Sequence, residues 1–328
     1  MSGVQNLTVQ PDDDGTRLDR WFKRHFPDVS FGRLQKAMRK GEVRLDGKRV
    51  KGKEHVATGQ TIRIPPLDSI AGAAPKAEKP VRKRLSDAEV QEVRNWVLHI
   101  DDDVIVLNKP AGLPTQGGTG QSRHLDGLLD ALRYDAPQRP KLVHRLDKDT
   151  SGALLLARNS QAAAKLAKGF ASKDTQKTYW AIVKGVPQQQ DGRISMLMEK
   201  APIKGNERMI ASDTGKKSVT DFSVVERMGH EAAWLALQPL TGRTHQLRLH
   251  CAEMGTPIVG DGKYGGAEAY LSGAISKKLH LHSYRVQFPH PAGGICDVSA
   301  PLPPHMAASF DMLGLDLSAY EDPFEEEF

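Results

Sequence analysis

The chain has 328 residues and a formal net charge of +6, with 39% hydrophobic and 26% charged residues. At roughly 100–200 residues per domain, this length allows about two domains. The longest aliphatic run, residues 153–157, is far shorter than the ~20 residues that span a bilayer, and no apolar leader follows Met1. Because the chain has only two cysteines, a disulfide framework is not expected. We therefore expect a cytoplasmic, monomeric protein without a membrane segment.

Charge is distributed unevenly along the chain. Residues 1–64 carry fourteen Lys and Arg against eight Asp and Glu, whereas residues 316–328 carry six acidic residues and no Lys or Arg. The acidic end therefore masks a basic body, and basic bodies commonly bind nucleic acid or anionic surfaces. A solvated lysine-rich face explains the same numbers, so charge alone leaves both interpretations open.

Residues 15–64 are predicted to form a small α+β domain, preceded by a polar segment, residues 1–10, that is expected to fray. An apolar stripe at helical spacing predicts a first helix. Ser30 is a candidate N-cap for a second helix, which Gly41 ends in a left-handed conformation. Asp46-Gly47 then predicts a tight hairpin turn, and a short strand closes the domain.

The second predicted helix and the hairpin carry a candidate RNA-binding surface. Its residues are Arg33, Lys36, Arg39, Lys40, Arg44, Lys48 and Arg49. Such a surface attracts phosphates without sequence specificity. The span from Arg17-Leu18-Asp19 to Val50 resembles the S4 RNA-binding module, and this resemblance favours RNA binding over a merely solubilising face.

Residues 65–95 are predicted to be a linker. Pro65-Pro66 stops the preceding strand, and the segment that follows is small, polar and punctuated by proline, so it cannot build a core. A basic patch, Arg82-Lys83-Arg84, contacts RNA or simply hydrates the linker. Ser86 is a candidate cap of a short helix that ends near residue 95.

Residues 96–315 are predicted to be a larger α+β domain with a mixed, mostly antiparallel sheet, because strand patterns neighbour other strands as well as helices. Residues 316–328 are predicted to be a disordered acidic tail. The expected strands are residues 104–107, 153–157, 178–184, 218–225 and 234–237, and the expected helices include residues 160–170 and 246–254.

Four polar segments of the larger domain are candidates for chemistry. The densest is His144-Arg145-Leu146-Asp147-Lys148-Asp149-Thr150-Ser151-Gly152, a charged loop that enters a buried strand and can hold one carboxylate at the floor of a cleft. The others are residues 108–115, 177–181 and 241–250. Taken singly, each of them is also compatible with an ordinary turn or strand.

Together, and in this order, the four segments resemble the large-subunit ribosomal RNA pseudouridine synthases of the RluA family that carry an S4 module. The RluC-like branch, which modifies several uridines, is the most similar. The string 144–152 is the signature of that family. The resemblance implies an isomerase with the pseudouridine synthase fold, without cofactor or metal, whose partner is 23S ribosomal RNA or a large-subunit precursor.

The resemblance also implies residue roles. Asp147 is the catalytic carboxylate, Arg248 is the cation within about 4 Å that keeps it ionised, and Tyr179 stacks on the uracil and takes a proton from C5. Leu247 walls the base pocket, and Arg145 fills the gap that the extruded base leaves. Three chemical routes stay open: attack at ribose C1′, addition at uracil C6, and proton removal from C2′.

Other functions were weighed beside this one. An RNA-binding or ribosome-assembly factor with an inert synthase-like domain would also explain the basic module, and a synthase could act on tRNA instead. A zinc hydrolase is raised only by the number of histidines, whose spacing does not suit a metal site. These histidines are His144, His245, His250, His280, His282 and His290.

Overall fold

The computed structural model describes residues 3–66, 85–117, 123–136, 138–203 and 206–324. It divides into two units, Met1–Lys83 and Arg84–Phe328, which are described separately. The basic patch at residues 82–84 and most of the predicted linker lie outside the described residues.

The first unit packs two helices on a small antiparallel sheet of order β1-β4-β2-β3. Its elements are β1 (Gln5–Thr8), α1 (Leu18–His25), α2 (Phe31–Lys40), β2 (Arg44–Leu45), β3 (Lys48–Arg49) and β4 (Thr61–Ile64). The helices bury one face, including Leu18, Trp21 and Leu34, against Ile62 and Ile64 of β4. The apolar stripe of the sequence thus becomes the core of this unit.

Most local signals in the first unit act as predicted, although Ser30 occupies the N-cap position of α2 without a capping hydrogen bond from its side chain. Gly41 ends α2 with a φ of 73°, and Asp46 and Gly47 have φ values of 48° and 76°, as a two-residue hairpin turn requires. The expectation that residues 1–10 fray is wrong for the four residues of β1. Gln5–Thr8 pairs with β4, which would otherwise be an open edge strand of the sheet. A segment so short and polar gives no sequence signal for this pairing.

The second unit is built on an eleven-stranded mixed sheet, counted over the described residues. Its main path runs β11-β10-β12-β13-β9-β14-β8-β6-β5, with β15 on β14 and β7 on β8. Among these pairs only β14 and β8 run parallel. The strands are β5 (Val97–Ile100), β6 (Val104–Lys109), β7 (Lys141–Leu142), β8 (Ser151–Ala157), β9 (Gln176–Lys184), β10 (Asp191–Ile203), β11 (Asn206–Ala211), β12 (Lys216–Met228), β13 (Ala232–Pro239), β14 (Leu281–Pro289) and β15 (Ile295–Ser299).

Helices and apolar side chains cover the large sheet. The helices are α3 (Asp87–Arg94), α4 (Leu125–Leu128), α5 (Ser160–Ser172), α6 (Gln246–Glu253) and α7 (Pro304–Leu313). All seven residues of β8 are buried, and alternate ones enter two different apolar clusters, since successive strand residues face opposite sides. None of the helices in the described ranges is both long and apolar enough to cross a membrane.

Two predicted boundaries of the larger domain need correction. Helix α3 begins with the predicted capping box at Ser86, and it buries Val93 in the core of the second unit, so it is not part of a linker. The tail prediction is also wrong up to residue 324. Tyr320 packs on the Trp180 ring at 4.8 Å, and the Asp322 carboxylate accepts a hydrogen bond from Arg285 at 2.9 Å. These contacts offset the disordering effect of the acidic composition.

Candidate active site

Five predicted site residues of the second unit line one cavity of about 320 Å³. They are Arg145, Asp147, Tyr179, Leu247 and Arg248. They come from three places: the loop before β8, the start of β9, and the start of α6. The sheet brings these distant segments together because β8 and β9 both pair with β14.

The loop that carries Asp147 is held by the segment that follows β6. The hydroxyl of Thr115 donates to the carbonyl of Leu146 at 2.6 Å and accepts from its N–H at 3.1 Å. The Lys148 carbonyl accepts from the Gly112 N–H at 2.8 Å and from the Lys109 ammonium at 3.2 Å. This segment was singled out in the sequence without a role, and its hydrogen bonds hold the loop that carries Asp147.

Lys109 is the most unusual member of this segment. Its side chain is fully buried, and the ammonium also donates to the carbonyls of Pro110 and Leu113, each at 2.8 Å. Burial lowers the pKa of Lys109 to about 7, although the charges of Asp149 and Asp147 oppose this shift. Lys109 forms no ion pair with any residue in the described ranges, and its charged form is stabilised by three carbonyl oxygens.

Gly152 and His144 fix the two ends of the loop. Gly152 has a φ of 108°, and a Cβ there would collide with the backbone of Ser283 on the neighbouring strand, so only glycine fits. His144 accepts the N–H of Leu155 at 2.8 Å through Nε2, and burial lowers the pKa of this histidine to about 3. His144 is therefore a neutral structural residue.

Asp147 is half-buried in the cavity wall. Over the part of the chain that the structure describes, its carboxylate has no hydrogen-bond or ion-pair partner, although its charge raises the pKa values of Lys109, Tyr179 and Arg248. Both carboxylate oxygens therefore remain available to a molecule in the cavity, next to positively charged and phenolic groups.

The direct contact expected between Arg248 and Asp147 is not present. Instead, the Arg248 guanidinium makes two parallel hydrogen bonds to Asp261, from Nε at 2.7 Å and from Nη2 at 2.6 Å. Burial opposes the charged form, but these bonds and the Asp261 charge, followed by the Asp147 charge, raise the pKa of Arg248. Sequence reasoning missed Asp261 because it treated the loop that contains it as a structural turn.

Tyr179 lies in the same cavity and is 8% exposed. Burial raises its pKa to about 12, with a smaller contribution from the negative charge of Asp147. The phenol is therefore protonated at neutral pH. It can stack on a base and donate a hydrogen bond, but it is a poor proton acceptor, and this restricts the expected role in C5 deprotonation.

Backbone geometry at the start of α6 orients Leu247 and Arg248. Gln246 is buried and bonds four groups, including the Thr220 hydroxyl at 2.9 Å, which ties the helix to β12. His245 adopts a left-handed φ of 52°, unusual for a side chain with a Cβ, and its Nδ1 lies 2.9 Å from the Tyr264 hydroxyl.

The candidate RNA-binding residues of the first unit are all exposed. They are Arg33, Lys36, Arg39 and Lys40 on α2 and Arg44, Lys48 and Arg49 on the β2–β3 hairpin. The two groups are adjacent, since the Arg44 Nε donates to the Gly41 carbonyl at 3.2 Å and the Arg49 side chain lies over the same glycine. Helix end and hairpin therefore form one basic surface.

The six histidines raised as metal ligands take part in separate hydrogen bonds. Their partners are Leu155 for His144, Tyr264 for His245, Ser218 for His250, Ser309 for His280, Ser151 for His282 and Asp101 for His290. Within the residues that are described, no group of three or more His, Cys, Asp or Glu could hold a metal ion.

Comparison with known proteins gives one consistent result. Residues 103–253 match the family model described as RNA pseudouridylate synthase. Ribosomal large subunit pseudouridine synthase C of Haemophilus influenzae is 36% identical over 89% of this chain and 89% of its own. RNA pseudouridine synthase 4, mitochondrial, of Arabidopsis thaliana is 35% identical over 95% of this chain and 82% of its own.

A solved structure agrees with these sequence matches. Human RNA Pseudouridylate Synthase Domain Containing 4 superposes with a TM-score of 0.59 and 26% identity, covering 70% of this chain and 97% of its own. The α+β fold described above is therefore shared with this solved RNA pseudouridylate synthase domain. The chain belongs to the RluA family of pseudouridine synthases and is an enzyme that isomerises uridine to pseudouridine, as the predicted motifs indicated.

Proposed function

We propose that this enzyme modifies uridines of large-subunit ribosomal RNA and that Asp147 is its catalytic carboxylate. The observation that carries the assignment of Asp147 is its position in the cavity beside Tyr179, Leu247 and Arg248, with no partner among the described residues. The relatives named ribosomal large subunit pseudouridine synthase C support the choice of RNA. Such RNA is processed where ribosomes assemble, so we expect the enzyme in that compartment.

Each residue of the cavity has a defined task in this proposal. The extruded uracil stacks on Tyr179 and packs on Leu247, while Asp147 engages the ribose or the ring so that the glycosidic bond breaks and re-forms at C5. Arg248, fixed by Asp261, supplies positive potential to the anionic species that forms. Arg145 is exposed at the cavity wall and stacks in the gap that the base leaves.

The basic surface of the first unit binds RNA in this proposal without reading its sequence. Its seven exposed cations neutralise backbone phosphates, which makes binding strongly salt-dependent. This surface increases affinity for structured RNA, and the chemistry stays in the second unit. Neutralising the cations of α2 and the hairpin should therefore raise KM far more than it lowers kcat.

The experiment is nucleotide-resolution mapping of pseudouridine in all RNAs of a strain that lacks this gene. Loss of pseudouridines in large-subunit RNA, restored by the wild-type gene and not by Asp147→Asn, supports both parts of the proposal. Purified Asp147→Asn should also bind RNA normally but release no tritium from RNA labelled at uridine C5. Full turnover by this variant would refute the role of Asp147. Loss of pseudouridines from tRNA alone would refute the choice of substrate.

A further inference from the structure

Lys177 is a cation in the cavity wall with no assigned task. It is half-buried at the start of β9, and its ammonium lies 5.7 Å from the centre of the Phe170 ring, within the range of a cation–π contact. No carboxylate of the described residues pairs with it. Burial lowers the pKa of Lys177, because it disfavours the charged form.

Strand geometry relates Lys177 to the proposed base pocket. Residues 177 and 179 lie on the same face of β9, about 7 Å apart along the strand, and both line the cavity. Lys177 is the more exposed of the two. A nucleotide whose base stacks on Tyr179 thus extends its ribose and phosphate outward, in the direction of Lys177.

A role as counter-ion of Asp147 fits Lys177 poorly. The charge of Asp147 contributes to the pKa of Lys109, Tyr179 and Arg248, whereas burial alone accounts for the lowered pKa of Lys177. No ion pair joins the Lys177 ammonium to the Asp147 carboxylate, although the structure describes both side chains. The substrate can supply an anionic partner for the Lys177 ammonium, because RNA carries one phosphate on each side of every nucleotide.

We propose that Lys177 forms a phosphate subsite of the active cavity and binds a phosphate that flanks the target uridine. This inference rests on the proposed function, because it takes the uracil to lie against Tyr179 and Asp147. Binding there anchors the extruded nucleotide through its backbone, whatever base follows it. The Phe170 ring holds the ammonium in place before RNA arrives, which reduces the side-chain entropy lost on binding.

The test compares Lys177→Met, Lys177→Arg and the matched control Lys168→Met, which removes an exposed lysine of α5 outside the cavity. With 23S RNA labelled at uridine C5, Lys177→Met should raise KM about 10-fold, with a smaller effect on kcat. The slope of log K against log salt should fall by about 0.7–0.9, the loss of one phosphate contact. Lys177→Arg should retain most of the affinity, and Lys168→Met should behave as wild type.

A second arm identifies the phosphate. Short RNAs that carry the mapped uridine are made with a neutral methylphosphonate on its 5′ or its 3′ side. One of the two should weaken wild-type binding about 10-fold and have no further effect on Lys177→Met. Additive losses at both positions, or an unchanged KM and salt slope in Lys177→Met, would overturn the subsite. Asp147→Asn, assayed in parallel, tests the proposed function separately: an active Asp147→Asn refutes that function, whatever Lys177 does.

Discussion

The buried pair between Arg248 and Asp261 provides a quantitative test of how the active cavity is held. The Asp261 side chain has no exposed surface and that of Arg248 is 9% exposed. The Asp261 carboxylate also accepts the N–H groups of Lys263 and Tyr264, each at 3.2 Å. Asp261→Asn keeps the shape of the side chain but removes its charge, and it points an amide N–H at either the guanidinium or the backbone donors.

The expected cost follows from this burial. Removing one partner of a buried ion pair costs about 3–5 kcal/mol, and since asparagine keeps one acceptor we expect about 3 kcal/mol. For a unit of this size that corresponds to a fall in Tm of about 6–12 °C. We also expect kcat to fall about 10²-fold with little change in KM, because Arg248 loses its fixed position in the wall of the proposed base pocket.

A matched control is available on the surface of the same sheet. Arg193 and Asp221 form a similar two-bond pair, at 2.6 and 2.8 Å, but the Arg193 side chain is 62% exposed. Asp221→Asn should therefore cost about 0–1 kcal/mol and leave kcat unchanged. Thermal unfolding and tritium release are measured for both variants. An Asp261→Asn variant as stable and as active as Asp221→Asn would show that burial of the pair does not position Arg248.

Three further changes have defined outcomes. Tyr179→Phe keeps the ring that stacks on the base but removes a hydrogen-bond donor to the reacting species, so it should keep RNA affinity and lower kcat about 10²-fold. The wild-type kcat should show no tyrosine limb below about pH 10, since the pKa of Tyr179 is raised to about 12. The pKa of Lys109 is about 7 in the folded protein, and its ordinary value of 10.5 applies to the unfolded chain. Between these pH values Lys109 is therefore protonated in the unfolded chain but largely deprotonated in the folded protein. The Lys109 contribution to stability against urea should therefore rise with pH through this window, by about 1.4 kcal/mol for each unit of the pKa difference. Lys109→Met should remove this contribution and leave the rise that comes from Lys177, whose pKa is also lowered. Asp13→Ala should lower the free energy of unfolding of the first unit by about 1–3 kcal/mol, because the buried Asp13 carboxylate accepts the Trp21 indole N–H at 3.0 Å. The loss should be measured as faster amide exchange in residues 5–64. Equal exchange rates in that region would contradict this last prediction.

Local signals in the sequence predicted elements well where short-range physics decides the conformation. Gly41 and the Asp46-Gly47 turn act within a few residues, and the capping box at Ser86 closes a single helical turn. Helix α6 was also predicted, since its apolar residues repeat at helical spacing. Motif order then indicated the family, which the comparison with known proteins established.

Partners far apart in the chain could not be predicted in the same way. β1 is short and polar, and only the open edge of β4 explains why it is a strand. The acidic composition of the tail predicted disorder, yet Tyr320 packs against the aromatic cluster around Trp180. In both cases the stabilising contact lies in another segment, so composition of the segment itself is misleading.

For the candidate site, the amino-acid sequence alone determined the chemical groups and the family that uses them: a carboxylate at 147, a phenol at 179 and a guanidinium at 248. Only the tertiary structure decided how these groups are paired. It placed Arg248 on Asp261 instead of Asp147 and buried Lys109 under the loop that carries Asp147. It also left Lys177 without a carboxylate partner among the described residues. The physical reason is that a charge interacts with whatever the fold brings within a few ångströms, and sequence spacing carries little information about that distance.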